Sequence, residues 1–243
     1  MKVFSFHNFA LLSMLLVGLL LLSCSRPPPM QIEQKPVLVQ SHPMPRRMAS
    51  KTLYRKTPLK PLIVIDAGHG GDDAGAEADN YTEKHLNLAT ARLVRTYLKQ
   101  LGYRTSMTRN ADFFVPLDQR AAFANSQKPA LFVSLHYNSA PSKKAEGIEI
   151  YYYHSDPTAH RVAESKKLAH SVLNKILQNT SAKSRGVRDG NFAVIRETNM
   201  PAILVEGGFL TNEKEVQKIK NPIYLKQLAW GVVQGIDEYL HSH

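Results

Sequence analysis

The sequence predicts an α/β fold, with one sheet covered by helices on both faces and built as a single domain. Three observations carry this: apolar runs short enough to be strands, helical periodicity between them, and about 180 residues left once the N-terminal region is set aside. Leu62 to Asp66 (LIVID) is continuously apolar up to a Gly-rich loop, as in a strand buried on both faces. Thr82 stands as an N-cap ahead of Glu83, and Leu86, Ala89, Leu93, Val94, Tyr97, Leu98 and Leu101 recur at helical spacing until Gly102. Tyr103–Met107 reads as a strand, and Pro116–Asn125 as a short helix with Pro in its first turn. Ala130–Leu135 and Gly147–Tyr153 are predicted strands, Ala159–Leu177 a helix followed by a polar loop. Phe192–Ile195 and Ala202–Val205 are predicted strands, and Ile223–Leu240 a closing helix.

The N-terminal sixty residues read differently. Lys2 precedes an apolar run, Phe9–Leu22, shorter than the roughly 20 residues of a membrane span. It ends in Leu21-Leu22-Ser23-Cys24, which resembles a bacterial lipobox. Residues 1–23 are therefore expected to be a lipoprotein signal peptide, with Cys24 acylated and tied to the membrane. As the lone cysteine of the chain, Cys24 also excludes an intramolecular disulfide framework. Residues 24–60 hold seven of the fourteen prolines and eight Lys/Arg against Glu33 alone, a composition that stays extended as a tether. From Pro61 onward only +3 of the chain's +11 remains, so the basic character belongs to the tether. Because that charge follows a lipid anchor, anionic headgroups or wall polymers are the expected partners, not nucleic acid. Residues 61–243 form the expected catalytic domain, taken as a monomer.

The loop Asp66-Ala-Gly-His-Gly-Gly-Asp-Asp-Ala-Gly75 lacks the Lys of a phosphate loop, and Asp73 occupies the position of the third glycine of a dinucleotide fingerprint. It instead presents His69 at a strand end. Ser134-Leu-His136-Tyr-Asn138 does the same for His136, and Val205-Glu206-Gly-Gly ends another strand in a carboxylate. With Glu83 at a helix start, two histidines and two glutamates gather at strand mouths, where α/β sheets place their sites. Two imidazoles and a carboxylate match a catalytic zinc with an open position, and a second carboxylate matches a general base.

These motifs (IDAGHGGDDAG, Glu83-Lys-His-Leu-Asn87, Ser134-Leu-His136-Tyr-Asn138 and Glu206-Gly-Gly-Phe209-Leu-Thr-Asn212) resemble those of zinc-dependent N-acetylmuramoyl-L-alanine amidases of the cell-separation type, amidase-3. The resemblance spans Leu62 to about Tyr239. It implies an open, twisted, mostly parallel sheet, zinc held by His69, Glu83 and His136, and Glu206 as the catalytic acid/base. The substrate implied is peptidoglycan, its precursors or muropeptides, cut between N-acetylmuramic acid and L-alanine. Asn87 and Asn138 would orient ligands or substrate, against an equal expectation that they are helix-surface and turn residues. Arg109 and Arg120 are expected to be surface charge, with contact to stem-peptide carboxylates as the alternative. Tyr151–Tyr153 are expected to pack a strand, an exposed one lining a sugar-binding cleft being the alternative, and His154, His160 and His170 to be surface or partly packed residues. Residues 25–60 are too short for the N-terminal sheet domain many relatives carry, and His154–Gly190 leaves no room for the helix that plugs the site of some regulated relatives.

Two rivals remain. A zinc peptidase acting within the stem is weakened because His69 and Glu83 lie fourteen residues apart, not three. A non-catalytic wall-binding lipoprotein has no use for both a metal cage and a base. A serine enzyme of the penicillin-binding type is excluded, since Ser-x-x-Lys does not occur. The chain is expected to act in the periplasm or at the cell surface.

Overall fold

Alternating faces along the first strand set the layers. In β1 (Leu62–Ala67), Ile63 and Ile65 point to one side of the sheet and Val64 to the other, and all three are fully buried. The computed structural model describes residues 59–78, 80–155 and 158–242. The expected signal peptide and nearly all of the expected tether lie outside the described residues.

After β1 a two-stranded ribbon, β2 (Glu77–Ala78) and β3 (Tyr81–Thr82), leads into helix α1 (Glu83–Gln100). Then come β4 (Arg104–Met107), α2 (Leu117–Gln127), β5 (Leu131–Asn138), β6 (Ile148–Tyr152) and α3 (Ala159–Thr180). β7 (Ser184–Asp189), α4 (Ala193–Arg196), β8 (Ala202–Phe209), α5 (Glu213–Ile219) and α6 (Pro222–His241) complete the chain. The six-stranded sheet runs β4-β1-β5-β8-β6-β7, and every pairing is parallel except β6 with β8. The expected α/β class and mostly parallel sheet hold.

One face packs on α1, α3 and α6 through residues such as Ile65, Val94, Val172 and Val232. The other is thinner: Val64, Phe132, Ala202 and Leu204 meet Ala124 of α2 and Val194 and Ile195 of α4. Three expectations need correction. Phe192–Ile195 is not a strand; Ala193–Arg196 is one helical turn, which buries Val194 and Ile195 by a helix's geometry. The polar loop after α3 contains the edge strand β7, whose residues are exposed or half-buried and so leave no apolar run to read. Thr82 occupies the N-cap of α1, but its hydroxyl bonds His85 Nδ1 at 2.7 Å and caps no backbone group.

Helices α3 and α6 approach closely because α6 carries glycine where they cross. A Cβ on Gly235 would lie 2.3 Å from Val172 Cα, inside the backbone of α3. Gly to Ala inside a helix ordinarily stabilises by about 1 kcal/mol. Here the sign reverses: Gly235→Ala is expected to destabilise by about 1–3 kcal/mol through overpacking. A thermal melt followed by circular dichroism checks this, and an unchanged or raised Tm would refute the close-crossing argument.

Candidate metal centre

The loop after β1 is built around a buried ion pair. Asp66 is fully buried, with Arg120 Nη1 at 2.9 Å, Thr108 Oγ1 at 2.5 Å and Ser134 Oγ at 2.7 Å donating to its carboxylate. Burial pushes its pKa up, but the Arg120 charge and the two hydroxyls hold it below the usual carboxylate range. Arg120 also donates to the carbonyls of Ala67 (2.6 Å) and His69 (2.7 Å). Arg109 donates to Ala67 (2.8 Å), Gly68 (2.7 Å) and Lys84 (2.8 Å). Both arginines are 1% exposed. The expectation of surface charge is therefore wrong: the guanidiniums are clamps that satisfy successive carbonyls of a tight loop, a use that only a fork of donors allows.

That loop forces the histidine inward. His69 takes φ 60°, a left-handed conformation uncommon outside glycine. The flanking glycines make room: a Cβ on Gly68 would lie 2.1 Å from the His136 ring, and one on Gly75 would lie 2.6 Å from Glu83 Oε2. His136 arrives on β5, and Glu83 is the first residue of α1.

The three meet. His69 Nε2 lies 3.1 Å from Glu83 Oε2, and His136 Nδ1 lies 3.0 Å from Glu83 Oε1. One ligand atom from each falls within 4.8 Å of the others, a grouping that could hold a metal ion. Glu83 is nearly buried and receives the Ala76 N–H at 2.9 Å, the Tyr137 N–H at 3.1 Å and Asn87 Nδ2 at 3.2 Å. Burial opposes its charge, yet hydrogen bonds and charge from His136 and His69 hold its pKa far below the carboxylate range. His69 is shifted up: burial lowers it, but Glu83 and then Asp73 outweigh that. Asp73 Oδ2 sits 2.8 Å from His69 Nδ1, which leaves Nε2 directed at Glu83. A carboxylate on the outer nitrogen of an imidazole, and an oriented carboxylate beside it, are what metal-ligand sets display. The donor set thus fits a divalent ion with nitrogen and oxygen preference, zinc foremost.

Glu206, on β8, pairs in register with His136 but belongs to no such grouping. Its Oε2 is buried and lacks a hydrogen-bond partner. Burial, then the charges of Glu83 and Glu149, push its pKa well above the usual range. It lines a cavity of about 400 Å³ with His69, Glu83, His136, Asn138 and Phe192.

Asn87 is fully buried and bonds both Glu83 and the Gly68 carbonyl (3.1 Å), so it ties ligand to loop and is no helix-surface residue. Asn138 lines the cavity but donates to Glu149 Oε1 at 2.6 Å. Glu149 escaped the sequence reading. It is 2% exposed on β6 and also receives Tyr151 Oη at 2.9 Å and Arg185 Nε at 2.8 Å. Its signal was a lone carboxylate inside the run GIEIYYY. Tyr151 packs edge-on against Phe192, with ring centroids 5.0 Å apart, while His154, His160 and His170 are exposed and outside the ligand group.

Breaking the clamp should cost more than any contact at the mouth of the cavity. Arg120→Met leaves Asp66 charged and buried without its cation, so a loss of about 3–5 kcal/mol is expected by denaturant titration. A loss under about 1 kcal/mol would mean that the loop is held by other means.

The fold and sequence are shared with known proteins. The crystal structure of N-acetylmuramoyl-L-alanine amidase from Clostridium difficile 630 superposes with a TM-score of 0.72 at 39% identity, covering 76% of this chain and 98% of that one. The catalytic domain of CwlV, N-acetylmuramoyl-L-alanine amidase from Bacillus (Paenibacillus) polymyxa var. colistinus, gives 0.69 at 39% identity over 75% of this chain and 99% of that one. The N-acetylmuramoyl-L-alanine amidase LytC of Bacillus subtilis (strain 168) is 36% identical over 177 residues, 73% of this chain but 35% of LytC. The Amidase_3 family, described as N-acetylmuramoyl-L-alanine amidase, matches residues 63–238, and the chain belongs to that family of enzymes.

Proposed function

We propose that the chain hydrolyses the amide between N-acetylmuramic acid and the L-alanine of the peptidoglycan stem, using zinc held by His69, Glu83 and His136, with Glu206 as base and acid. The observation that carries this is Glu206 itself, a half-buried carboxylate whose Oε2 is buried and unpartnered in the cavity that His69, Glu83 and His136 also line. Zinc, when bound, lowers the pKa of water and polarises a carbonyl. Glu206 accepts the proton of the attacking water and returns it to the leaving amine as the C–N bond breaks. The products are a muramic carboxylate and a stem with a free L-alanine amino group. Asn87 fixes Glu83, and Asn138 holds one wall of the cavity through Glu149.

The reading extends to anchoring at Cys24 in the membrane, with the tether carrying the domain toward the wall; Leu21–Cys24 and the charge of residues 24–60 support it. Within the described residues no helix is long and apolar enough to cross a membrane. Action without a protein activator is supported by the short span between β6, ending at Tyr152, and α3, beginning at Ala159, which is too short for a further helix.

Mass spectrometry of an intact-stem muropeptide treated with the purified full chain and zinc is expected to show release of the whole stem. Release of only a terminal D-alanine would instead make the enzyme a carboxypeptidase. Zinc content should fall in His69→Ala. Glu206→Gln should cut turnover by roughly 100-fold or more. The same change removes a carboxylate whose ionisation is opposed in the folded chain and free in the unfolded one, a difference that costs stability above the ordinary carboxylate pKa. At neutral pH the chelated variant is therefore expected to melt no lower than the chelated parent. A lower Tm would contradict the electrostatic reading of Glu206.

A further inference from the structure

The row of residues that contains the catalytic glutamate does not stop at it. Strand register places His136, Glu206, Glu149 and Gly186 side by side across β5, β8, β6 and β7. At the end of this row Gly186 has open space over its Cα, with nothing within 4 Å of a Cβ position. Two arginines from β7 reach into this corner. Arg185 Nε lies 2.8 Å and Arg188 Nε 3.2 Å from Glu149 Oε2, and Arg188 Nε also meets the Arg185 carbonyl at 3.3 Å. Among the described residues, the hydrogen bonds of both side chains run through Nε alone. The forks of terminal nitrogens are left over on side chains 32% and 49% exposed.

This is an anchored pair of guanidiniums, both held by a buried carboxylate, with Arg185 also lying over the Phe209 ring at 4.8 Å and Arg188 the more exposed of the two. Such a fork suits a planar carboxylate, which it can bind in bidentate fashion. The corner adjoins the cavity wall, because Glu149 holds Asn138, a lining residue, while the arginines themselves stand beside the cavity and do not line it. Two strand spacings separate Glu206 from β7, about 10 Å. The guanidiniums reach back from β7 to Glu149, on the strand next to β8, and so lie between one and two spacings from Glu206. The span of two extended residues from the scissile amide, about 7 Å, falls in that interval.

We propose that Arg188, backed by Arg185, binds the free α-carboxylate of the second residue of the stem peptide, so that the enzyme distinguishes acidic from amidated stems. The proposal rests on the amidase reading for the placement of the stem. Neutralising Glu149 alone would need one of these cations. The second, more exposed one has capacity to spare.

The test is calorimetric binding to the full-length Glu206→Gln chain loaded with zinc. The probes are N-acetylmuramyl-L-alanyl-D-glutamate and its D-isoglutamine counterpart, which differ only in whether the α-carboxyl is free or amidated. The acid is expected to bind roughly tenfold or more tightly than the amide. Arg188→Gln added to this chain should weaken the acid alone and erase the preference. Arg188→Lys, which keeps the charge beside Glu149 but loses the fork, should retain part of it. Equal affinity for both probes, no binding of either, or equal weakening of both by Arg188→Gln would overturn the subsite and leave the arginines as props for Glu149. Hydrolysis by the parent chain, read separately by mass spectrometry, tells failure of this inference from failure of the amidase reading.

Discussion

Four carboxylates, Asp66, Glu83, Glu149 and Glu206, are drawn to one end of a single sheet, the first three buried, and the charges of Glu83 and Glu149 bear on Glu206. Three are compensated in full. Asp66 has a guanidinium and two hydroxyls, Glu83 two imidazoles and two backbone N–H groups, and Glu149 two guanidiniums, a tyrosine and an asparagine. Glu206 receives nothing at Oε2. An unpaired buried carboxylate costs several kcal/mol in its charged form, so it binds a proton more strongly than its neighbours do. The pattern of compensation therefore sets Glu206 apart from the other three, in line with the role proposed for it. A cation beside Glu83 would supply what Glu206 lacks, which links metal binding to the charge state of Glu206.

Strand direction makes this arrangement possible. In the parallel part of the sheet, β1, β5 and β8 all end on the same edge, so residues late in each strand converge there. β6 runs the other way, and its second residue, Glu149, therefore reaches the same edge from its start. Register then puts His136, Glu206 and Glu149 on one face in adjacent strands. A one-residue slip in β8 would turn Glu206 to the helix-packed face and expose an apolar residue to the cavity. The alternation of Val205 and Glu206 between the two faces guards against it, because Val205 is buried in the larger core.

The parts legible in sequence were those whose neighbours in the chain define them. His69, His136 and Glu206 each follow an apolar run and adjoin glycine or a polar pair, so strand ends and chemistry were read together. The arginines were not legible. Burial of Arg109 and Arg120 depends on carbonyls of a loop more than forty residues away, and nothing adjacent to either signals it. β7 hides for the opposite reason: an edge strand needs no apolar alternation, and SRGVRD has little. Phe192–Ile195 shows the ambiguity of short apolar stretches, which suit one helical turn as well as a strand. Helix α5 did carry a signal that went unread, since Asn212 accepts from the N–H groups of Lys214 and Glu215 as an N-cap.

The start of α1 shows how local and tertiary demands were reconciled. An N-cap side chain normally satisfies the first free N–H groups of a helix, and Thr82 is suited to that task. Instead the Glu83 N–H donates to the Ala76 carbonyl at 2.8 Å, and the Lys84 N–H to Ala74 at 3.1 Å. Glu83 Oε2 in turn receives the N–H of Ala76, so loop and helix are bonded in both directions. A Thr82 cap would have satisfied the helix alone. The reciprocal bonds also fix where the loop carrying His69 lies relative to Glu83, across fourteen residues of chain. Two candidate ligands whose donor atoms lie 3.1 Å apart need that precision, because a metal site loosened by about 1 Å would lose its geometry. The helix gave up its own cap, and the site gained its alignment.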